Sequence, residues 1–149
     1  PIYGFGEQVL ISGNSMQPQL SAQDVVLMNR IIYVTGTPDR FDVVVFERED
    51  GKKNVKRIIG LPGETVQIRD NRVYINGEPL KEDKMGEVSL AGRAADPVRL
   101  GEKEYFLLGD NRGSSEDSRF PNIGNVKREQ ILGKAWFRML PLLNLGFVS

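Results

Sequence analysis

Two residues in this chain could do acyl-transfer chemistry together. Ser15 lies in Ser12-Gly13-Asn14-Ser15-Met16-Gln17-Pro18, and Lys56 lies in Val55-Lys56-Arg57-Ile58-Ile59-Gly60. A hydrolase working through a covalent intermediate needs a nucleophile and a group that takes its proton. The 149 residues contain no histidine and no cysteine. A Ser-His-Asp triad and a Cys-His dyad are therefore both excluded, and a serine activated by a lysine is the natural remaining choice.

Ser15 follows a short apolar run, with Gly13 freeing the backbone before it and Pro18 stiffening the exit. Such a turn suits a serine whose own N–H points at a bound carbonyl. The same residue types also make ordinary strand-ending turns. Lys56 and Arg57 interrupt an apolar stretch, and strand alternation puts them on opposite faces. A free lysine titrates near 10.4 and is a poor base at neutral pH. Burial disfavours its ammonium form and can bring it into the useful range. A solvated lysine on a strand edge is the plainer reading. A third segment, Gly109-Asp110-Asn111-Arg112-Gly113-Ser114-Ser115-Glu116-Asp117-Ser118-Arg119, crowds charges and hydroxyls into one loop. A desolvated lysine needs such paired support, although surface loops share this composition.

The elements that must position these groups are mostly strand-like. Gln8–Ile11, Asp24–Asn29 and Asp42–Phe46 are short apolar or β-branched runs separated by turn residues. Val66–Arg69 alternates, Asp70-Asn71 tolerates positive φ, and Arg72–Ile75 returns, which predicts a hairpin; Asn76-Gly77 predicts a second tight turn. Tyr105–Leu108 and Lys134–Arg138 complete the strands. Helical signal is confined to single turns at Pro18–Gln23 and Lys127–Ile131. Residues 81–101 lack periodicity and are expected to form a loop or small insertion, in a single domain whose core covers about 8–80 and 102–139.

Composition is that of an ordinary globular chain, able to bury about 68–70% of its unfolded surface. Lys+Arg and Asp+Glu are both 20, which argues against a nucleic-acid partner. Cysteine and histidine ligands for a metal are absent, no EF-hand spacing is visible, and no cofactor is expected. No apolar run approaches the roughly 18 residues of a membrane span. The first residue is Pro1 rather than Met, so a processed or partial chain is expected, with any anchor before Pro1.

Taken together, the segments resemble the bacterial type I signal peptidases, membrane-bound serine–lysine proteases. Four boxes of that family appear in order: Ser12–Pro18, Arg40–Phe46, Lys56–Glu64 and Gly109–Arg119. The glycine at position 13 is similar to relatives from Gram-positive bacteria. The resemblance implies a mostly β fold of coiled antiparallel sheets with little helix. It implies Ser15 as nucleophile and Lys56 as general base. Ser115 would hydrogen-bond the lysine, Asp110 would pair with Arg57, and Asp117 with Arg119. The Ser15 N–H would be one oxyanion donor. Some members carry a serine at position 13 as the second donor, where this chain has Gly13. Met16 and Pro18 would help shape the substrate site. Phe41 replaces a usual glycine and Gln19 a usual threonine, neither expected to touch the chemistry.

The resemblance further implies cleavage of signal peptides from secreted preproteins after small residues, in an Ala-x-Ala pattern. The catalytic domain would sit on the extracytoplasmic side of the bacterial cell membrane. A lipid surface would be a second partner, met by apolar stretches at Ile2–Phe5, Val9–Ile11 and 136–145; a monomer is expected. Two other readings are a self-cleaving repressor-type serine–lysine protease and an inactive β domain that binds peptides or assembles a pilus-like structure. The first needs a DNA-binding domain and an internal cleavage site, neither of which is evident. The second is disfavoured by the joint presence of Ser15 and Lys56.

Overall fold

The computed structural model describes residues 6–83, 86–141 and 145–149. Two antiparallel sheets carry the fold. The larger orders its strands β1 (Glu7–Leu10), β2 (Val25–Asn29), β11 (Ile131–Leu140), β3 (Val43–Glu47), β4 (Lys53–Gly60), β9 (Glu104–Leu108) and β10 (Val126–Lys127), with β12 (Gly146–Phe147) added to β11. The smaller orders β7 (Glu78–Pro79), β6 (Arg72–Ile75), β5 (Thr65–Arg69) and β8 (Val98–Arg99).

The strongest local signals form as expected. In the β5–β6 hairpin Asp70 and Asn71 take φ of 51° and 61°, and Asn76 and Gly77 of the next turn take 52° and 83°. Two consecutive left-handed residues match the twist of flanking strands. β3 is Val-Val-Val-Phe-Glu, with its first four residues buried. It is a central strand, so both faces are covered, and the β-branched run has no need to alternate.

Two expectations fail. Pro18–Gln23 forms bonded turns rather than a helix. The Ser21 N–H is taken by Asp24 Oδ2 at 2.9 Å and Gln23 sits at φ 76°, so an α ladder cannot continue. Instead a helical turn, α1, forms at Ile32–Thr35, with Asn29 Oδ1 accepting the N–H groups of Ile31 and Ile32. The 81–101 segment is also more than a loop. It holds a 3-10 turn at Gly92–Ala95 and contributes β8. Val88, Ala94, Val98 and Leu100 from it join the core that joins the two sheets, beside Ile59, Val66 and Phe106. The expected turn near Lys127–Ile131 is a 3-10 turn at Arg128–Gln130.

A separate core cluster lies under the Ser15 loop: Ile11, Met16 and Leu20 pack with Val26, Val43 and Ala135. A third, around Val44, Phe46, Ile58 and Leu107, backs β3 and β4. Ser15 thus sits between two buried anchors, Ile11 and Met16, which hold the loop while leaving the serine at its crest.

Candidate active site

The site is assembled where β4 passes the β1–β2 loop and the loop after β9. β4 pairs with β3 so that Val44 faces Lys56 and Val43 faces Arg57. The two adjacent cations leave on opposite faces and both are buried, at 5% and 4% exposure. Lys56 Nζ donates to Ser15 Oγ at 2.8 Å. Burial pushes the Lys56 ammonium down to about 8; the positive Arg48 adds to this, while Asp117 and Glu116 oppose it. A lysine near 8 has a substantial neutral fraction at mildly alkaline pH and can accept a proton.

The Ser15 turn is stapled to the β9 loop. Asn111 N–H donates to Ser15 O at 2.8 Å, Asn111 Nδ2 to Asn14 O at 3.1 Å, and Ser114 Oγ to Asn14 Oδ1 at 3.2 Å. The Asp110 N–H points at the Met16 sulfur at 3.4 Å. Gly109 is the close-approach point. A Cβ there would collide with Ser115 Oγ and stand 2.7 Å from Ser15 O. Among the described residues the Ser15 N–H donates to no protein acceptor.

On the far face of β4, Arg57 grips Asp110 bidentately, Nε to Oδ1 at 2.8 Å and NH2 to Oδ2 at 2.7 Å. Its remaining donors reach Phe41 O at 2.8 Å and Ser149 O at 2.7 Å. Phe41 therefore touches the site's support through its backbone carbonyl. It holds φ 75°, the left-handed conformation that suits glycine, and this points its carbonyl at Arg57. Asp117, fully buried, pairs with Arg119 through Nε at 2.8 Å and NH2 at 3.0 Å. It also accepts from the Gly109 N–H at 3.0 Å and from Ser115 Oγ at 2.8 Å.

Ser115 departs from the expected arrangement. Its hydroxyl donates to the Asp117 carboxylate at 2.8 Å. No hydrogen bond joins it to Lys56. Pro18 also departs: it is exposed and lies outside the cleft lining, because the chain turns inward again only at Leu20. Met16 is buried and lines the cleft. Gly13 is exposed at φ 78°, with open space where a side chain would go. Of the apolar stretches, 2–5 and 142–144 lie outside the described residues. Leu140, Leu145 and Phe147 are exposed, and the rings of Trp136, Phe137 and Phe147 cluster at 5.5–6.2 Å.

A cleft of about 300 Å³ runs from Ser15 and Lys56 between β1 and the first half of β4. Among the described residues β1 pairs only with β2 and is an edge strand. β9 pairs with β4 from Arg57 onward, so the second edge of Lys53–Lys56 has no strand partner among the described residues. The cleft is thus bounded by two open strand edges. Several contributors carried no clear sequence signal: Asn111, Gly109 as a spacer, and Asp83, which grips Arg112 bidentately at 2.9 Å while Arg112 Nε holds Gly109 O. Glycine directly after an apolar strand was the one available hint.

The sequence model described as signal peptidase, peptidase S26, matches residues 2–140. The chain belongs to this signal peptidase family. It is 35% identical to the probable signal peptidase I-2 of Synechocystis sp., over 93% of this chain and 65% of that protein. It is 37% identical to signal peptidase I T of Bacillus subtilis, over 91% of this chain and 74% of that protein. The crystal structure of a signal peptidase I from Enterococcus faecalis superposes with a TM-score of 0.53 at 36% identity, covering 65% of this chain and 95% of that one. The mostly β, antiparallel signal-peptidase fold is that of this chain. It spans about two thirds of the length of the Synechocystis relative, and among its described residues no helix is long and apolar enough to cross a membrane.

Proposed function

We propose that this chain is the catalytic domain of a serine endopeptidase that removes N-terminal signal peptides from secreted preproteins. The observation that carries the reading is the 2.8 Å contact between Ser15 Oγ and a buried Lys56 whose ammonium is destabilised to about 8. Neutral Lys56 takes the Ser15 proton as Oγ attacks the carbonyl before the scissile bond. The oxyanion forms beside the Ser15 N–H, which has no acceptor among the described residues. The lysinium gives its proton to the leaving amine. Lys56, neutral again, then draws a proton from the water that releases the acyl-enzyme.

Asp117, Arg119, Asp110 and Arg57 keep the loop and β4 in place as two neutralised pairs. The two open strand edges flanking the cleft fit an extended peptide, recognised through its main chain with pockets for small side chains. The exposed Leu140, Leu145 and Phe147 beside Trp136 and Phe137 suit a lipid surface on the extracytoplasmic side. We assign the whole of 1–149 to one catalytic domain.

The test is cleavage of a preprotein with an Ala-x-Ala site by purified protein. Ser15→Ala and Lys56→Ala should each abolish cleavage with the fold intact by circular dichroism. Lys56→Arg should be equally inactive, because guanidinium stays protonated. Full activity in any of the three refutes the mechanism.

A further inference from the structure

Arg48 sits just beyond β3, at the tip of the β3–β4 hairpin. Since Val44 faces Lys56 across the pair, strand alternation brings Phe46 and then Arg48 to the same face as Lys56. Its side chain is only 17% exposed, and its NH1 donates to Glu116 Oε1 at 2.9 Å while NH2 lies 3.4 Å from Asp50. Glu116 is the residue between Ser115 and Asp117, and Asn122 Nδ2 fixes the same oxygen at 2.8 Å. Among the described residues, Arg48 Nε is the buried side-chain polar atom left without a partner.

That placement is poorly explained by stability. Both carboxylates it meets are about half exposed, and such pairs contribute little once water screens them. Burying a donor without a partner costs about 1–3 kcal/mol. The placement does bring a permanent cation to the face of the lysine, and an anion to the loop beside it.

We propose that Arg48 and Glu116 are positioning residues of opposite sign for the peptidase reaction, the arginine disfavouring and the glutamate favouring the charged form of Lys56. The inference rests on the reading of Lys56 as base. Of the other charges on this face, Lys134 of β11 lies opposite Val44 and is paired with Asp42 at 3.3 Å. Asp117 is neutralised by Arg119, and Arg57 points to the other face into Asp110. Along the cleft, Lys53 and Glu7 lie near its outer end, and Glu7 is paired with Arg30. The Ser15 loop brings one charge, Asp24 at its end next to β2, whose carboxylate accepts from the Ser21 N–H. The causes acting on Lys56 agree in sign: Arg48 lowers and Glu116 raises its tendency to hold the proton. The two members of one ion pair therefore pull the base in opposite directions, and their balance fixes the pH at which it becomes competent.

The experiment measures two things on the intact protein with Arg48→Gln, Glu116→Gln and the double substitution. One is the midpoint of the acid limb of kcat/KM; the other is the titration of Lys56 itself, read by NMR of ¹³Cε-labelled lysine assigned with Lys56→Arg. Arg48→Gln should raise both midpoints and Glu116→Gln should lower them, each by about half a pH unit for screened charges. The double variant should return near the starting value, Arg48→Lys should preserve it, and 1 M salt should shrink every shift. A purely structural role for the pair predicts losses in kcat with no opposed movement. Shifts of the same sign, or none in the NMR titration, overturn the proposal. Opposed NMR shifts that the acid limb does not follow uphold the electrostatic device and refute Lys56 as the base.

Discussion

Replacing Lys56 by methionine should destroy activity and make the protein more stable at neutral pH. The lysine is 5% exposed and its ammonium titrates at about 8 against an ordinary 10.5. That lowering of about 2.5, at about 1.4 kcal/mol per pH unit, means the buried ammonium costs the fold on the order of 3 kcal/mol. Below pH 8 both folded and unfolded chains carry the proton, and the cost is present in full. Between about 8 and 10.5 the folded chain has released it while the unfolded chain still binds it, so stability rises with pH. Above 10.5 both are neutral and the cost is gone. Methionine fills nearly the same length without a charge, but forfeits the bond to Ser15, worth about 1 kcal/mol. The expected gain is about 2 kcal/mol at pH 7, falling to zero or below by pH 10.5. Urea denaturation of the two proteins at several pH values measures it. With a slope of about 1–3 kcal/mol per molar urea, the midpoint should move up by about 1 M at pH 7. A difference that stays flat from pH 7 to 10.5, whatever its sign, refutes the claim that Lys56 is held against its preferred charge.

In the unsubstituted enzyme, kcat/KM should climb about tenfold between pH 7 and 9 as the neutral fraction of Lys56 grows; a flat profile with saturating controls would exclude a lysine base near 8. Gly109→Ala should cut activity severely and cost about 1–3 kcal/mol, because the new methyl meets Ser115 Oγ and the Ser15 carbonyl. Wild-type rates in that variant would show the spacing to be unimportant. Asp110→Ala leaves Arg57 buried without its partner, and thermal unfolding should report a loss of about 3–5 kcal/mol; a loss under 1 would mean water reaches the guanidinium. Gly13→Ala meets no neighbour but holds φ 78°, so it should lose about 1–2 kcal/mol from backbone strain alone, measurable in the same unfolding assay.

Local signals were legible in the sequence, and pairings between distant loops were not. Asp70-Asn71 declared the β5–β6 hairpin because only a turn with two left-handed residues uses that pair so readily. Lys56 and Arg57 declared opposite faces because strand alternation leaves no other choice. Ser15, Lys56, Asp110, Asp117 and Arg119 were all singled out beforehand, and the structure brings them together. What failed depends on tertiary competition. Ser115 is expected to meet Lys56, but its hydroxyl turns to a carboxylate two residues away. The 81–101 segment shows no periodicity because its core residues, Val88, Ala94, Val98 and Leu100, enter one at a time from loop, a 3-10 turn and a two-residue strand. The helical turn at Ile32–Thr35 runs against the β-branched character of Ile-Tyr-Val-Thr, with Asn29 Oδ1 holding the Ile31 and Ile32 N–H groups at its entrance. Phe41 looked inert as a substitution, since nothing in the sequence shows that its backbone carbonyl is what Arg57 needs.

The placement of Lys56 and Arg57 side by side on β4 has a consequence for a chain that is still folding. Strand registers can slip, and a slip of one residue exchanges the two faces. Slipped one way, Arg57 would meet Ser15 and Ile58 would face Asp110; slipped the other way, Val55 would meet Ser15 and Lys56 would face Asp110. Guanidinium does not give up its proton in water and valine carries no base, so the serine would have no partner able to accept one. A half-folded protease is dangerous to its neighbours, because it can cut before its cleft restricts what enters. On the proposed mechanism, Ser15 is armed only by the alignment that also seats Arg57 in Asp110. One strand position thus serves as a safety catch, released by correct folding alone.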